Sequence, residues 1–315
     1  MGKKWVSFII VTWNNENEIE KCLDTLKEYT EVPYQVIVVD NLSKDHTCDI
    51  ISKRYPEVQL IRSKENLGFA KGNNLALGVV TTPYLCFINP DVILTEDITG
   101  PALKILDSDK SVGLVTNKLY NADGSHQATT GRFTDYISIL VSVGHLTRFL
   151  PNSLKMNFCP EHYKLDRGYF YPDWVIGAEM FMRTADAKEI GGFSTDYYMY
   201  IEDMDICWKV RHQLNKLVYY NADVSMVHLG GVSEKQNRSY SKQEKLYTNT
   251  FLFCQKFYGR KKAVNLFDFW EKLYNIRVFF LYALSMLSKG QDLIKHDKSI
   301  LKILESISEI EKIKN

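Results

Sequence analysis

The chain has 315 residues, 45% hydrophobic and 24% charged, and its 39 Lys and Arg against 38 Asp and Glu leave a net charge of +1. That balance fits a globular protein with core enough for one large domain, or a domain plus an appendage, and excludes a bulk-charge case for a nucleic-acid partner. Six cysteines, Cys22, Cys48, Cys86, Cys159, Cys207 and Cys254, form no CxxC pair, so free thiols in a reducing compartment are expected rather than disulfides or a zinc site.

The opening MGKKWVSFIIVTWNN turns polar after about seven apolar positions and lacks a small-residue cleavage site, which reads as a strand rather than a signal peptide. Val at position 6 spoils a myristoylation motif at Gly2. VSFIIVT (6–12) is β-branched and apolar, as a buried strand requires. Residues 15–29 set Ile19, Cys22, Leu23 and Leu26 at helical spacing. YQVIVVD (34–40) is a second strand. A helix capped by Ser43 or Asp45 follows to about Tyr55, then a strand, VQLIRS (58–63), a helix over 68–80, and a strand, PYLCFIN (83–89).

Strands alternating with helices imply parallel pairing in a sheet covered on both faces. Ligands of such α/β folds gather at the carboxyl ends of the strands. Thr12, Asn14, Asp40, Asn41, Asn89 and Asp91 fall there. The first strand–helix turn, TWNNENE, has no glycine, against a dinucleotide-binding GxGxxG.

Residues 117–173 are irregular and read as an insertion of loops and short helices over the active face. Order returns at WVIGAEMFMR. A helix is expected over 205–213, with Asp205 as its cap and Asn215 as a left-handed end. From about 241 the pattern is helical. FFLYALSML (279–287) is too short to span a bilayer, but with Arg260, Lys261, Lys262 and Arg277 it suits a membrane surface, or packing on the catalytic domain or a second subunit. Ile300, Ile303, Leu304, Ile307 and Ile310 form an apolar stripe that needs a partner.

Seven segments in order, VSFIIVTWNN, VVDNLSKDHT, NLGFAKGNN, INPD, WVIGAEMFMR, YMYIEDMDICWKVR and VHLGG, resemble glycosyltransferase family 2, inverting enzymes of the GT-A fold. The likeness runs from residue 6 to about 231 and leaves out the C-terminal helices. NLGFAKGNN and the NPD triplet look most like bacterial rhamnosyltransferases. The resemblance implies an α/β GT-A domain over 1–240, with a nucleotide-binding half (1–100) and an acceptor-binding half (101–240). Residues 241–315 would be a helical region for membrane or dimer contact.

The resemblance also implies roles. A nucleotide-sugar donor expels a diphosphate, whose charge needs a cation. Asp91 would ligate Mn2+ or Mg2+, with His228 as second ligand; an imidazole suits Mn2+ better. Family members usually carry Asp where this chain has Asn89, which brings hydrogen bonds but no charge. Asp40 would accept the imide N–H of uracil or thymine, with Thr12 and Asn14 lining the base pocket. Asn66, Gly68 and Lys71 match the stretch beside the nucleotide. Asp203 matches the catalytic base and Glu202 its companion, with Tyr197, Tyr198 and Tyr200 available to desolvate the base and stack on sugars. Trp174, Gly177 and Ala178 would face donor sugar and acceptor, and Arg132 and Arg183 are candidates for phosphate contacts. The expected reaction moves L-rhamnose from dTDP-β-L-rhamnose to a lipid-linked saccharide, at the cytoplasmic face of a bacterial membrane. A UDP-hexose donor and a noncatalytic sugar-nucleotide-binding scaffold are the rivals.

Overall fold

The computed structural model describes residues 4–197, 199–230, 241–285 and 291–313. Tyr198, Gly231, Met286, Leu287 and the side chain of Ile310 lie outside that description. The chain divides into two compact units, Met1–Gly131 with Lys164–Asn237, and Arg132–Tyr163 with Arg238–Asn315. The stretch 132–163, read from sequence as part of the acceptor half, thus packs with the C-terminal helices.

The larger unit is built on a nine-stranded sheet. Strands β1 (Val6–Thr12), β2 (Tyr34–Asp40), β3 (Gln59–Arg62) and β4 (Tyr84–Ile88) run parallel in the order β3-β2-β1-β4. Helices α1 (Ile19–Tyr29), α2 (Thr47–Arg54) and α3 (Gly68–Val79) connect them. Both faces are covered: Phe8 and Ile10 on one side and Ile9 on the other are fully buried. This is why these strands read as continuous apolar runs. Gly72 lets α3 press onto β1, since a Cβ there would stand 2.9 Å from Val11 Cγ1.

Beyond β4 the order continues β10 (Glu179–Arg183), β6 (Val112–Tyr120), β11 (Leu217–His228) and β5 (Val92–Leu94), with β8 (Tyr169–Phe170) paired to β11 as the ninth strand, while β7 (Thr130–Gly131) and β9 (Trp174–Val175) form a separate pair. β10 runs antiparallel to both of its neighbours. It therefore brings Gly177 and Ala178 to the carboxyl edge of β4 and carries Arg183 to the opposite edge. β11 runs parallel to β6, and its last residue, His228, pairs with Val92 beside Asp91.

Glu179 is fully buried beneath the carboxyl edge. Its Oε2 accepts from Thr116 Oγ1 (3.1 Å) and the Asn117 amide (2.9 Å), and its Oε1 accepts from Asn117 Nδ2 (2.9 Å). Burial dominates these bonds and pushes the carboxyl up to about 7. A raised folded pKa means stability that is full below the unfolded pKa and lost as pH rises through about 7. The stability advantage of wild type over Glu179→Gln is therefore expected to shrink from pH ~5 to pH ~8, by up to about 3 kcal/mol. Denaturant melts at both pH values check this; a difference independent of pH would contradict it.

In the smaller unit, helix α5 (Tyr136–Val143) is capped by Asp135, which accepts the Ser138 amide at 2.7 Å. Three long helices follow: Ser241–Tyr258, Arg260–Ser285 and Gln291–Ile313. Arg277 joins them to α5, donating to the Val143 carbonyl (2.6 Å) and pairing with the buried Asp297 (2.6 Å). Ile300, Ile303, Leu304 and Ile307 are buried in this unit, so the stripe's described part finds its partner within the chain.

Candidate active site

β1, β2 and β4 end together and define the site floor. After β1, Asn14 takes a left-handed conformation, and its Oδ1 accepts the Lys44 amide at 2.8 Å. Thr12 is buried and donates to Asn15 Oδ1 at 3.1 Å, so its hydroxyl hydrogen is already committed. Asp40 closes β2. Its Oδ2 accepts the Ser43 amide at 3.1 Å, while its buried Oδ1 has no partner. The buried Oδ1 of the adjoining Asn41 also lacks one, and its Nδ2 donates to the Gly68 carbonyl at 3.1 Å. Buried acceptors left open in this way are costly unless a ligand donor fills them.

Gly68 has a positive φ of 73°, which favours glycine, and its amide donates to Asn66 Oδ1 at 2.9 Å. Asn66 therefore shapes the turn into α3. Lys71 is exposed on α3.

After β4, Pro90 fixes the chain and Asp91 is buried at 7% exposure. Asp91 Oδ1 lies 3.3 Å from His228 Nε2, and Asn89 Nδ2 stands 3.3 Å from the same nitrogen. His228 Nδ1 is 2.8 Å from Gln127 Oε1, an oxygen that can only accept, and Nε2 faces the two strand-end residues. Gln127 is itself held, since its Nε2 donates to Asn121 Oδ1 at 2.8 Å. A carboxylate, an imidazole nitrogen and a fixing partner behind the ring suit Mn2+ or Mg2+ completed by phosphate oxygens and water. Among the described residues no group of three or more His, Cys, Asp and Glu gathers at a metal-binding spacing. Gln127 carries no motif and sits in the polar stretch GSHQATT; sequence reading missed it because its role depends on a partner 101 residues away.

Helix α8 (Glu202–His212) begins three residues earlier than its apolar spacing suggests. Tyr200 and Ile201 precede it with φ of 69° and 74°. A β-branched residue in that region is strained, and such strain concentrates at functional sites. It places Glu202 and Asp203 in the first turn, where the helix dipole favours negative charge. Asp203 accepts the Met204 amide at 2.8 Å and the Gly177 amide. Desolvation pushes the Asp203 carboxyl above the usual carboxylate range. Glu202 is raised too, by burial first and then by the charge on Asp203, and its buried Oε2 is unpartnered. Burial and the proximity of two like charges thus disfavour ionising both carboxyls at once.

Several sequence expectations are corrected. Asp205 lies inside α8 rather than at its cap; Ser194 Oγ donates to Oδ1 and Tyr197 Oη to Oδ2, the latter at 3.0 Å. Tyr197 is 3% exposed and serves that bond rather than a sugar. Ala178 is buried in the core; its carbonyl accepts the Asn89 amide at 2.9 Å, so it orders the edge from beneath. Arg183 is held at the far edge by the Val112 carbonyl (2.7 Å) and Asp186 (3.0 Å). Arg132 belongs to the smaller unit, where Asp135 (2.6 Å) and the Asn157 carbonyl (2.7 Å) engage its guanidinium. Gly177 does sit at the acid pair: a Cβ there would meet Phe69 Cζ at 3.2 Å and Asp203 Cβ at 3.7 Å. Trp174 lies half-buried against Gly131, where a Cβ would fall 2.2 Å from its Cε2.

A mostly parallel sheet that gathers Asp40, Asp91 and His228 at one carboxyl edge, with Asp203 beside Gly177, is the arrangement in which α/β enzymes bind their ligands. The profile of glycosyl transferase family 2 matches residues 7–167, and the chain belongs to that family. The rhamnosyltransferase WbbL of Escherichia coli (strain K12) is 29% identical over 245 residues, 75% of this chain and 86% of that protein. An N-acetylglucosaminyl-diphospho-decaprenol L-rhamnosyltransferase of Mycobacterium tuberculosis is 24% identical over 214 residues, 63% of this chain and 67% of that one. The mannosyltransferase PcManGT of Pyrobaculum calidifontis, solved with GDP-Man and Mn2+, matches with a TM-score of 0.58 at 16% identity, over 98% of this chain and 87% of that one. The fold is GT-A, and the protein is a glycosyltransferase.

Proposed function

We propose that this enzyme transfers L-rhamnose from dTDP-β-L-rhamnose, with inversion, to a lipid-linked saccharide acceptor, working at the cytoplasmic face of the membrane. The observation that carries the chemistry is the raised, first-turn Asp203 facing Gly177, on the same carboxyl edge as Asp40 and the Asp91–His228 pair. Support for the sugar comes from the two rhamnosyltransferase relatives. Asp40 Oδ1 accepts the imide N–H of thymine. A divalent ion held by Asp91 and His228 would neutralise the departing diphosphate. Asn89, 3.3 Å from His228 Nε2, would offer a hydrogen bond there without adding charge. Asp203 takes the acceptor hydroxyl's proton as that oxygen attacks the anomeric carbon, and Glu202 remains protonated and donates to the acceptor.

The donor assignment is tested by offering purified protein dTDP-β-L-rhamnose and a panel of UDP-hexoses with a lipid-linked acceptor mimic and Mn2+ or Mg2+. Consumption of the dTDP sugar alone is expected; consumption of UDP-hexoses alone would replace the donor.

Gln127 gives a separate check on the ion. Gln127→Leu removes the acceptor that orients His228 and is expected to weaken Mn2+ binding about 10–100-fold, read by calorimetry with a nucleoside diphosphate present. Gln127→Glu should restore it. Unchanged affinity in the leucine variant would deny Gln127 any role at the ion.

A further inference from the structure

The two units differ sharply in charge. The smaller, residues 132–163 and 238–315, carries 18 Lys and Arg against 10 Asp and Glu, a net +8; the larger carries 21 against 28, a net −7. The near-neutral total hides this. The smaller unit also holds 14 of the 21 large apolar side chains that stand exposed among the described residues. Several of these meet in one groove of about 580 Å3, where Leu140 and Phe149 face Ile276, Phe280 and Leu293. Phe149 is 77% exposed, Phe279 70% and Phe280 59%. Cations lie on the aromatic rings: Arg148 is 5.9 Å from the Phe149 centroid and Lys298 5.0 Å from that of Tyr282.

We infer that this face of the smaller unit binds an anionic phospholipid bilayer, with Phe149, Phe279 and Phe280 entering the headgroup–acyl boundary. Aromatic groups amid lysine and arginine match a surface that is apolar below and negative above. No helix among the described residues is long and apolar enough to cross a membrane, so contact of this kind lies on the surface. A second copy fits the face poorly, because two units of +8 repel when like faces meet. The inference deepens the reading of a lipid-linked acceptor and names the surface and lipid charge through which the enzyme reaches it.

The test uses the full chain with vesicles of phosphatidylcholine alone or mixed with phosphatidylglycerol, read by cosedimentation with no donor or acceptor present. Its failure is thereby distinct from failure of the rhamnosyl reading. Binding to the mixed vesicles is expected, with weaker binding to neutral ones and a loss on raising salt. Phe279→Ser with Phe280→Ser should lower partitioning about tenfold or more, and Arg148→Glu should lower it about fivefold on anionic vesicles only. Nucleotide binding of both variants should match wild type, which guards against misfolding. No binding to mixed vesicles, or equal binding by the phenylalanine variant, would overturn the inference. So would a dimer in solution that the same variant dissociates, since that assigns the face to a second copy.

Discussion

Asp203→Asn is expected to lower kcat about 10²–10⁴-fold while leaving nucleotide affinity unchanged, because asparagine keeps the shape of the α8 first turn but cannot take a proton. The Met204 and Gly177 amides that hold the carboxylate can still bond the amide oxygen. The pH profile of the wild type carries the same assignment. A base must be ionised to act, and burial raises the Asp203 carboxyl. The acid limb of kcat is therefore expected above the range of an ordinary carboxylate, with activity falling as pH drops through it. Wild-type turnover by the asparagine variant would remove Asp203 from the role of base. A profile flat down to the usual carboxylate range would deny the raised pKa.

Asp91→Ala should do comparable damage by a different route. Losing an electrostatic stabiliser of a leaving group costs about 10²–10³ in kcat. Here it also removes the carboxylate that lies 3.3 Å from His228 Nε2. Mn2+ titrations with a nucleoside diphosphate should show the loss directly, and the deficit should not be repaired by excess metal. An alanine variant that binds Mn2+ as the wild type does would move the ion site elsewhere. The contrast between the variants matters: Asp203→Asn spares metal and nucleotide binding, whereas Asp91→Ala impairs both.

The strands of the first hundred residues are legible because burial on both faces leaves unbroken β-branched runs, as in Val6–Thr12 and Tyr34–Asp40. Asp40, Asp91 and Asp203 stand out in the sequence because each lies where a strand ends or a helix begins. What escaped was set by long-range topology. Nothing local says that β10 inserts antiparallel between β4 and β6, and that direction sends Arg183 to the wrong edge and buries Ala178. The early start of α8 depends on two left-handed residues, Tyr200 and Ile201, that no propensity favours. Residues 117–173 read as an insertion because loops and prolines dominate them, and little in the sequence signals that α5, within that stretch, carries an apolar face that packs with the C-terminal helices.

The most direct measurement is the anomeric configuration of the product formed from dTDP-β-L-rhamnose on a lipid-linked acceptor mimic, read by one-bond C–H coupling in NMR. Single displacement at the Asp203 edge predicts an α-L-rhamnoside and release of dTDP. A β-linked product would contradict inversion and, with it, the one-base mechanism.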